Sequence, residues 1–248
     1  MTLLLAPAPA LAADLAYKAP QPVAPVSAYQ WTGFYVGGHI GGGWGEEQAT
    51  ELPPGVAGFP AGSVFAPHHL SGFLGGVQGG FDWQASNHFV VGVEGDYSWA
   101  DLSSTASTIS PVVPFVSTTT LRSNHLALAT GRLGYAANNW LFFVKGGAAW
   151  THNSSTGVGT LTNGTFVNTN FSSLDRSGWV TGAGVEWGFT PNWSAKIEYE
   201  HVDFGSATAV INTSNGLTAL ANSSYRIDLL KAGVNYRFIW DGPAVARY

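Results

Sequence analysis

Six carboxylates and five cations stand where they could do chemistry together. Asp82, Glu94, Asp96, Glu186, Glu198 and Glu200 share the polar positions of alternating runs with Arg132, Lys145, Lys196, Lys231 and Arg237. The two sets nearly balance. They can pair into a salt-bridged plug, or they can line a narrow ion path or proton relay. Histidines stand at 39, 68, 69, 88, 125, 152 and 201. His39 and His201 fall near strand ends or a lumen. His68-His69 is an adjacent pair in a loop, where it could hold a metal or haem at a surface. No H-E-x-x-H, G-x-S-x-G or phosphate-loop pattern is present, and nothing singles out a nucleophile. The reading is therefore of a protein without catalytic, metal or cofactor residues, and not an enzyme.

The elements that position these charges are strands. In Gly79–Trp99, Phe81 and Trp83 share a face with Phe73 and Val77 just upstream, and Gln78, Asp82 and Gln84 take the other. After the break at Ala85–His88, Phe89, Val91, Val93, Tyr97 and Trp99 oppose Glu94, Asp96 and Ser98. A period of two is a strand, and a four-residue break between two such runs is a tight hairpin. Gly131–Trp150 and Gly182–Tyr199 repeat the unit. Each turn is bracketed by rings: Trp83 and Phe89, Tyr135 and Trp140, Phe189 and Trp193. Amphipathic rings collect at a membrane interface, so the three pairs read as one aromatic girdle. An apolar face that is wide, aromatic and uncharged fits the lipid side of a barrel. A charge placed there would cost a few kcal/mol, so the eleven ionisable residues belong inside.

Composition agrees. Charged residues make up 10% of the 248 residues and hydrophobic ones 45%, against roughly 25% charged in a soluble domain. The net charge of −5 excludes a basic footprint for nucleic acid. Cysteine is absent, which excludes a disulfide scaffold and thiol-ligated metal. No apolar run reaches the length of a transmembrane helix.

Taken in order, residues 1–12 read as the remnant of a signal peptide, cut after Ala10-Leu11-Ala12. Residues 13–30 form a Pro-rich segment expected to be extended and unpaired. Strand one is expected from Trp31. Long loops are expected at 45–70, 101–120, 151–175 and 205–222, alternating with three short turns. Strand eight runs over about 225–238, with Leu230, Ala232, Val234, Tyr236 and Phe238 on its apolar face. Long and short connections in alternation are the habit of outer-membrane barrels, with short turns on the periplasmic side. Asn163-Gly164 and Asn215-Gly216 favour hairpin turns within two long loops, which leaves ten strands as an alternative to eight. The sequon Asn153-Ser154-Ser155 reads as polar loop composition. An eight-stranded interior is only just wide enough to be filled by side chains, so a plug is expected rather than an open channel.

Trp31-Thr32-Gly33-Phe34-Tyr35-Val36-Gly37, Gly131-Arg132-Leu133-Gly134-Tyr135 and Ala232-Gly233-Val234-Asn235-Tyr236-Arg237-Phe238 resemble the small outer-membrane β-barrel surface antigens of alphaproteobacteria, also called outer membrane immunogenic or porin-family proteins. The resemblance spans nearly the whole of residues 13–238. It implies an all-β, antiparallel up-and-down barrel of about eight strands in a bacterial outer membrane. It implies contact with lipid and lipopolysaccharide, and insertion by the outer-membrane assembly machinery. Val234, Tyr236 and Phe238 match the family's assembly signal. That signal usually ends the chain, whereas here residues 239–248 follow as a C-terminal extension.

The functional expectation is a structural, surface-exposed barrel with a polar, largely plugged lumen. The alternatives are a small porin-like pore and a surface receptor for haemin or a host molecule. A soluble β-sandwich or lipocalin-like carrier would need the aromatic face turned inward.

Overall fold

Side chains that alternate along a strand must face two different solvents, and here the two faces are the outside and the inside of a closed ring. The computed structural model describes residues 29–238, apart from 57, 86–87, 162–165, 172–173 and 214–217. The signal remnant, most of the Pro-rich segment, the two Asn-Gly turns and the C-terminal extension lie outside the described residues.

The strands are β1 (Gly33–Glu51), β2 (Gly55–Val56), β3 (Phe59–Pro60), β4 (His68–Gln84), β5 (Phe89–Ile109), β6 (Phe115–Ala137), β7 (Trp140–Leu161), β8 (Phe166–Phe171), β9 (Leu174–Thr190), β10 (Trp193–Thr213) and β11 (Thr218–Phe238). The wall runs β1-β4-β5-β6-β7-β9-β10-β11 and closes where β11 pairs antiparallel with β1 from Phe34↔Phe238 to Glu51↔Ala221. β8 pairs with both β7 and β10 and so continues the place of β9 in the wall. β2 and β3 form a separate two-stranded hairpin.

Following the register once around leads from Val36 through Gly79, Gly95, Ala129, Ala148, Trp179, Asp203 and Arg226 to Glu46, ten residues further along β1. Eight strands with that stagger tilt about 40° from the axis and enclose a backbone cylinder of about 8 Å radius. A cylinder so narrow is filled once long side chains point inward. At Gly80 the lack of a side chain is what makes room for Tyr35, since a Cβ there would stand 2.5 Å from the Tyr35 hydroxyl oxygen.

The structure corrects the connections. The expected long loops are largely strand: β5 and β6 extend to Ile109 and from Phe115, and β1 reaches Glu51. Ser- and Thr-rich segments read as loop by composition, yet Ser and Thr pair across strands, as in Thr105–Thr120 (3.0 Å) and Ser107–Thr118 (2.9 Å). Strand one begins at Gly33, and Trp31 instead lies buried beneath the ring. At the β6–β7 turn, Asn138 takes φ 55°, a region Asn tolerates better than most residues.

Candidate functional site

The lumen is layered, and each layer follows from what the inward positions of the strands carry. At the short-turn end, Tyr29 and Trp31 turn under the barrel and pack with Val90, Ala136, Leu141 and Phe143. The Tyr29 amide donates to Asn139 Oδ1 (3.3 Å) and the Trp31 amide to Gln84 Oε1 (3.2 Å). The Arg237 guanidinium stands 5.5 Å from the Trp31 ring and donates to the Trp31 carbonyl.

Above this layer lies the charged network, and all eleven residues singled out by parity are buried in it. Arg132 Nε donates to Asp82 Oδ1 (2.7 Å) and Nη1 to Glu186 Oε2 (3.0 Å). Arg237 Nη2 donates to Asp82 Oδ2 (2.8 Å). Ser194 Oγ (2.6 Å) and Asn235 Nδ2 (3.0 Å) both donate to Glu186 Oε1. The Tyr35 ring stands beside both guanidiniums, at 5.0 Å from Arg132 and 4.9 Å from Arg237, and its hydroxyl donates to Glu94 Oε2 (2.8 Å).

One step along the axis the cations change to lysine. Lys145 Nζ reaches Glu94 (3.0 Å), Glu198 (2.9 Å) and Glu200. Lys196 Nζ reaches Glu94 (2.9 Å) and Glu198 (3.0 Å). Lys231 Nζ reaches Glu200 (2.8 Å) and Asp96 (3.2 Å). His39 bonds Gln78 (3.1 Å) and Ser98 (2.8 Å), and Gln78 donates on to Asn235 (2.6 Å). In so dry a site each ion needs its partners, because an uncompensated buried charge costs several kcal/mol.

The upper half of the lumen departs from the polar interior expected of the sequence. The inward row of β11 passes from Lys231 to Leu229, Ile227 and Tyr225, and that of β10 from Glu200 to Val202 and Phe204. With Leu74, Leu102 and Leu126 these form an apolar layer across the barrel. Alternation persists there but is inverted: Asp228 and Arg226 on β11 and His201 and Asp203 on β10 take the outer face while the apolar residues turn inward, so assigning polar positions to the lumen throughout cannot show it.

The histidines divide: His39 takes the lumen place expected of it, and His201, His68 and His69 depart from theirs. His201 is on the outer wall, where it pairs with Asp228 (2.7 Å), which also accepts from the Tyr199 hydroxyl (2.6 Å). His68 and His69 are consecutive strand residues, so their side chains point to opposite sides of the wall. They cannot grip one ligand together, which removes the paired haem or metal site. Among the described residues no group of His, Asp and Glu forms a metal-ligand set.

The outer wall carries two rings of aromatics, of which sequence reasoning found one. Trp83, Phe89, Tyr135, Trp140, Phe189 and Trp193 are exposed near the short turns. A second ring stands ten residues away along the same strands: Phe34 with Trp44, Trp83 with Phe73, Phe89 with Trp99, Trp140 with Trp150, and Phe189 with Trp179. Ten residues at the tilt above is about 25 Å, the height of the apolar band of an outer-membrane barrel. The ten-residue spacing was the available signal for this second ring. Between the rings lie exposed apolar side chains such as Ile40 (72% exposed) and Ile197 (54%). Val234 and Phe238 face outward on β11, with Tyr236 between them half-buried.

Known proteins share this architecture. The outer membrane protease OmpT of Escherichia coli superposes with a TM-score of 0.52 at 9% identity, over 85% of this chain and 98% of that one. The outer membrane protein OprG of Pseudomonas aeruginosa gives 0.50 at 8%, over 87% and 100%. At such identity the likeness is one of fold alone. In sequence, the 31 kDa outer-membrane immunogenic protein of Brucella melitensis is 28% identical over 92% of this chain and 93% of its own length. The 22 kDa outer membrane protein of Rhizobium leguminosarum bv. viciae is 26% identical over 88% and 82%. Residues 2–238 match the family described as the outer membrane protein beta-barrel domain. The protein is an outer-membrane β-barrel, and the chain belongs to that family.

Proposed function

We propose that the protein is a closed structural barrel that supports the outer membrane and presents its extended end at the cell surface, without conducting solutes and without catalysis. The observation that carries this reading is the triple seal of the lumen: the Trp31 layer, the ion network and the leucine-rich layer lie in series. A hydrated path would have to break all three. The extended end continues well beyond the second aromatic ring, in β5 by ten residues from Trp99 to Ile109, which lifts the connecting segments clear of the lipid.

The two rings support contact with lipid, and two outward arginines, of which Arg226 is also paired with Asp203 (3.5 Å), support contact with lipopolysaccharide. Arg226 and Arg122 are exposed just beyond the second ring, at the depth of headgroup phosphates. Val234, Tyr236 and Phe238, on the last wall strand, are the residues we assign to recognition by the assembly machinery. The outward aromatic face weighs against a soluble carrier.

The test is conductance of the refolded protein in planar bilayers, with a gel mobility shift on boiling as the check that the barrel has formed. Absence of discrete current steps from a heat-modifiable preparation is the expected result. Reproducible steps would move the porin-like reading to first place.

A further inference from the structure

Above the leucine-rich layer the barrel interior opens again into a cavity of about 70 Å³. Its apolar wall is made by Ala49, Leu121, Ala209 and Ala221, with Phe65 from the segment that joins β3 to β4. That segment and the β2–β3 hairpin cross the mouth. Leu52 N bonds Leu220 O (2.7 Å) at one side, the Phe65 amide bonds Ala49 O (2.9 Å), and the Gly58 carbonyl accepts from Ser110 Oγ at the other.

Three side chains lining this cavity have a buried nitrogen without a partner, His68 at Nδ1 and, as donors, Arg176 and Asn153. Arg176 is buried, and its terminal nitrogens are engaged: Nη1 with Ser223 O (3.0 Å), Nη2 with Ser223 Oγ (2.8 Å) and Glu47 Oε1 (3.1 Å). Its Nε–H has no acceptor. Asn153 accepts from Thr151 through Oδ1 (3.2 Å), but its Nδ2 has no acceptor. Both residues are at least nine-tenths buried, both line the cavity, and they project inward from adjacent strands, where Thr151 pairs with Arg176. Buried donors are ordinarily paired, so two unpaired N–H donors on one cavity mark a place where an acceptor belongs.

The charge balance says what kind of acceptor. Glu47 already neutralises Arg176. A carboxylate or phosphate entering beside them would be a second buried anion facing one cation, which desolvation disfavours. A neutral oxygen carries no such penalty and takes both donors. The rest of the lining is uncharged: the apolar wall is joined by the hydroxyls of Thr108, Thr119 and Ser155 and by the His68 imidazole, disfavoured as a cation by its burial. We propose that this cavity binds a small neutral carbonyl compound, such as an ester, lactone or amide, with its oxygen on Arg176 Nε and Asn153 Nδ2 and its short apolar body against Ala209 and Phe65. This goes beyond a structural role and does not require a conducting lumen, because the site lies on the surface side of the leucine-rich layer.

The experiment uses the refolded full chain in detergent micelles and follows the side-chain Nε–H resonance of Arg176 by NMR. The probes are gamma-caprolactone, its ring-opened hydroxycarboxylate and cyclohexane. The lactone is expected to shift the resonance saturably at millimolar concentrations, and the other two to do so at least about tenfold more weakly, through the loss of both hydrogen bonds or the addition of one uncompensated charge. Ala209→Leu fills the apolar side while keeping both donors, and it should abolish the shift. Asn153→Leu should weaken it by about tenfold. No saturable shift with the lactone, tighter binding of the carboxylate, or an unchanged response in Ala209→Leu would each overturn the proposal. The first of these would leave the donors to water.

Discussion

Arg237, from the penultimate residue of the last strand, clasps Trp31, which precedes the first. Its guanidinium stands 5.5 Å from the indole ring, bonds the Trp31 carbonyl, and ion-pairs with Asp82 (2.8 Å) on the opposite side. One side chain thus ties the two ends of the described fold to the charged network.

Trp31→Ala should cost about 3–5 kcal/mol, the usual loss for a large buried ring. It should still give no conductance, since two further layers remain closed. Urea unfolding in lipid vesicles, followed by tryptophan fluorescence, reads the first effect, and planar bilayers read the second. Current steps in this variant would show that the N-terminal layer is the only effective seal.

Removing Arg132 leaves Asp82 and Glu186 each short of a cation in a dry interior. Arg132→Met is expected to destabilise by about 3–5 kcal/mol, and Asp82→Asn in the same background should restore part of that loss. The comparison is made by the same unfolding measurement. Equal stability of Arg132→Met and wild type would mean that water reaches this layer.

Depth in the bilayer separates two substitutions that look alike in exposure. Ile197 lies midway between the aromatic rings and Phe73 lies in the second ring. Ile197→Arg should cost about 2–4 kcal/mol and Phe73→Arg about 0–1 kcal/mol, as arginine costs most at the bilayer midplane. Similar losses at both positions would mean that the ring-to-ring axis is not the membrane normal.

Glu51 lies beyond the second ring, under the segment that crosses the mouth, with both carboxylate oxygens buried and unpartnered. Burial pushes its carboxyl up from the ordinary 4.5 to about 7. The docked segment therefore holds this proton more tightly than the undocked one. Docking is fully supported below about pH 4.5 and weakens as pH rises from there to about 7. Limited proteolysis of residues 52–67 should accelerate across that window in the wild type and stay level in Glu51→Gln. A flat profile in the wild type would place Glu51 in contact with water.

Much of this architecture was legible in the residues, and for a physical reason. Where lipid lies on one side and ions on the other, alternation is strong, so Glu94 against Val93 or Lys145 against Val144 reveals a strand and its inward face. The signal fails where the polarity of the two faces inverts. N-terminal to Leu230 on β11 the outward residues become Asp228 and Arg226 while Leu229, Ile227 and Tyr225 face the lumen, so polar no longer means inward. It fails again in Thr118–Thr120, where a polar strand rising above the bilayer has the composition of a loop. His68 and His69 mislead in the opposite way: adjacency in sequence suggests a pair, while the pleat of β4 sends them apart.

The pairing of β1 with β11 has a consequence in time. Phe34 meets Phe238, so the first strand waits for the last before the ring can close. Until some two hundred residues have been made, β1 has one free edge and a row of aromatics without lipid. Contacts this distant in sequence form slowly. The nascent protein must therefore cross to its membrane as an open chain, and its folding is a single late event in which the whole circumference zips shut.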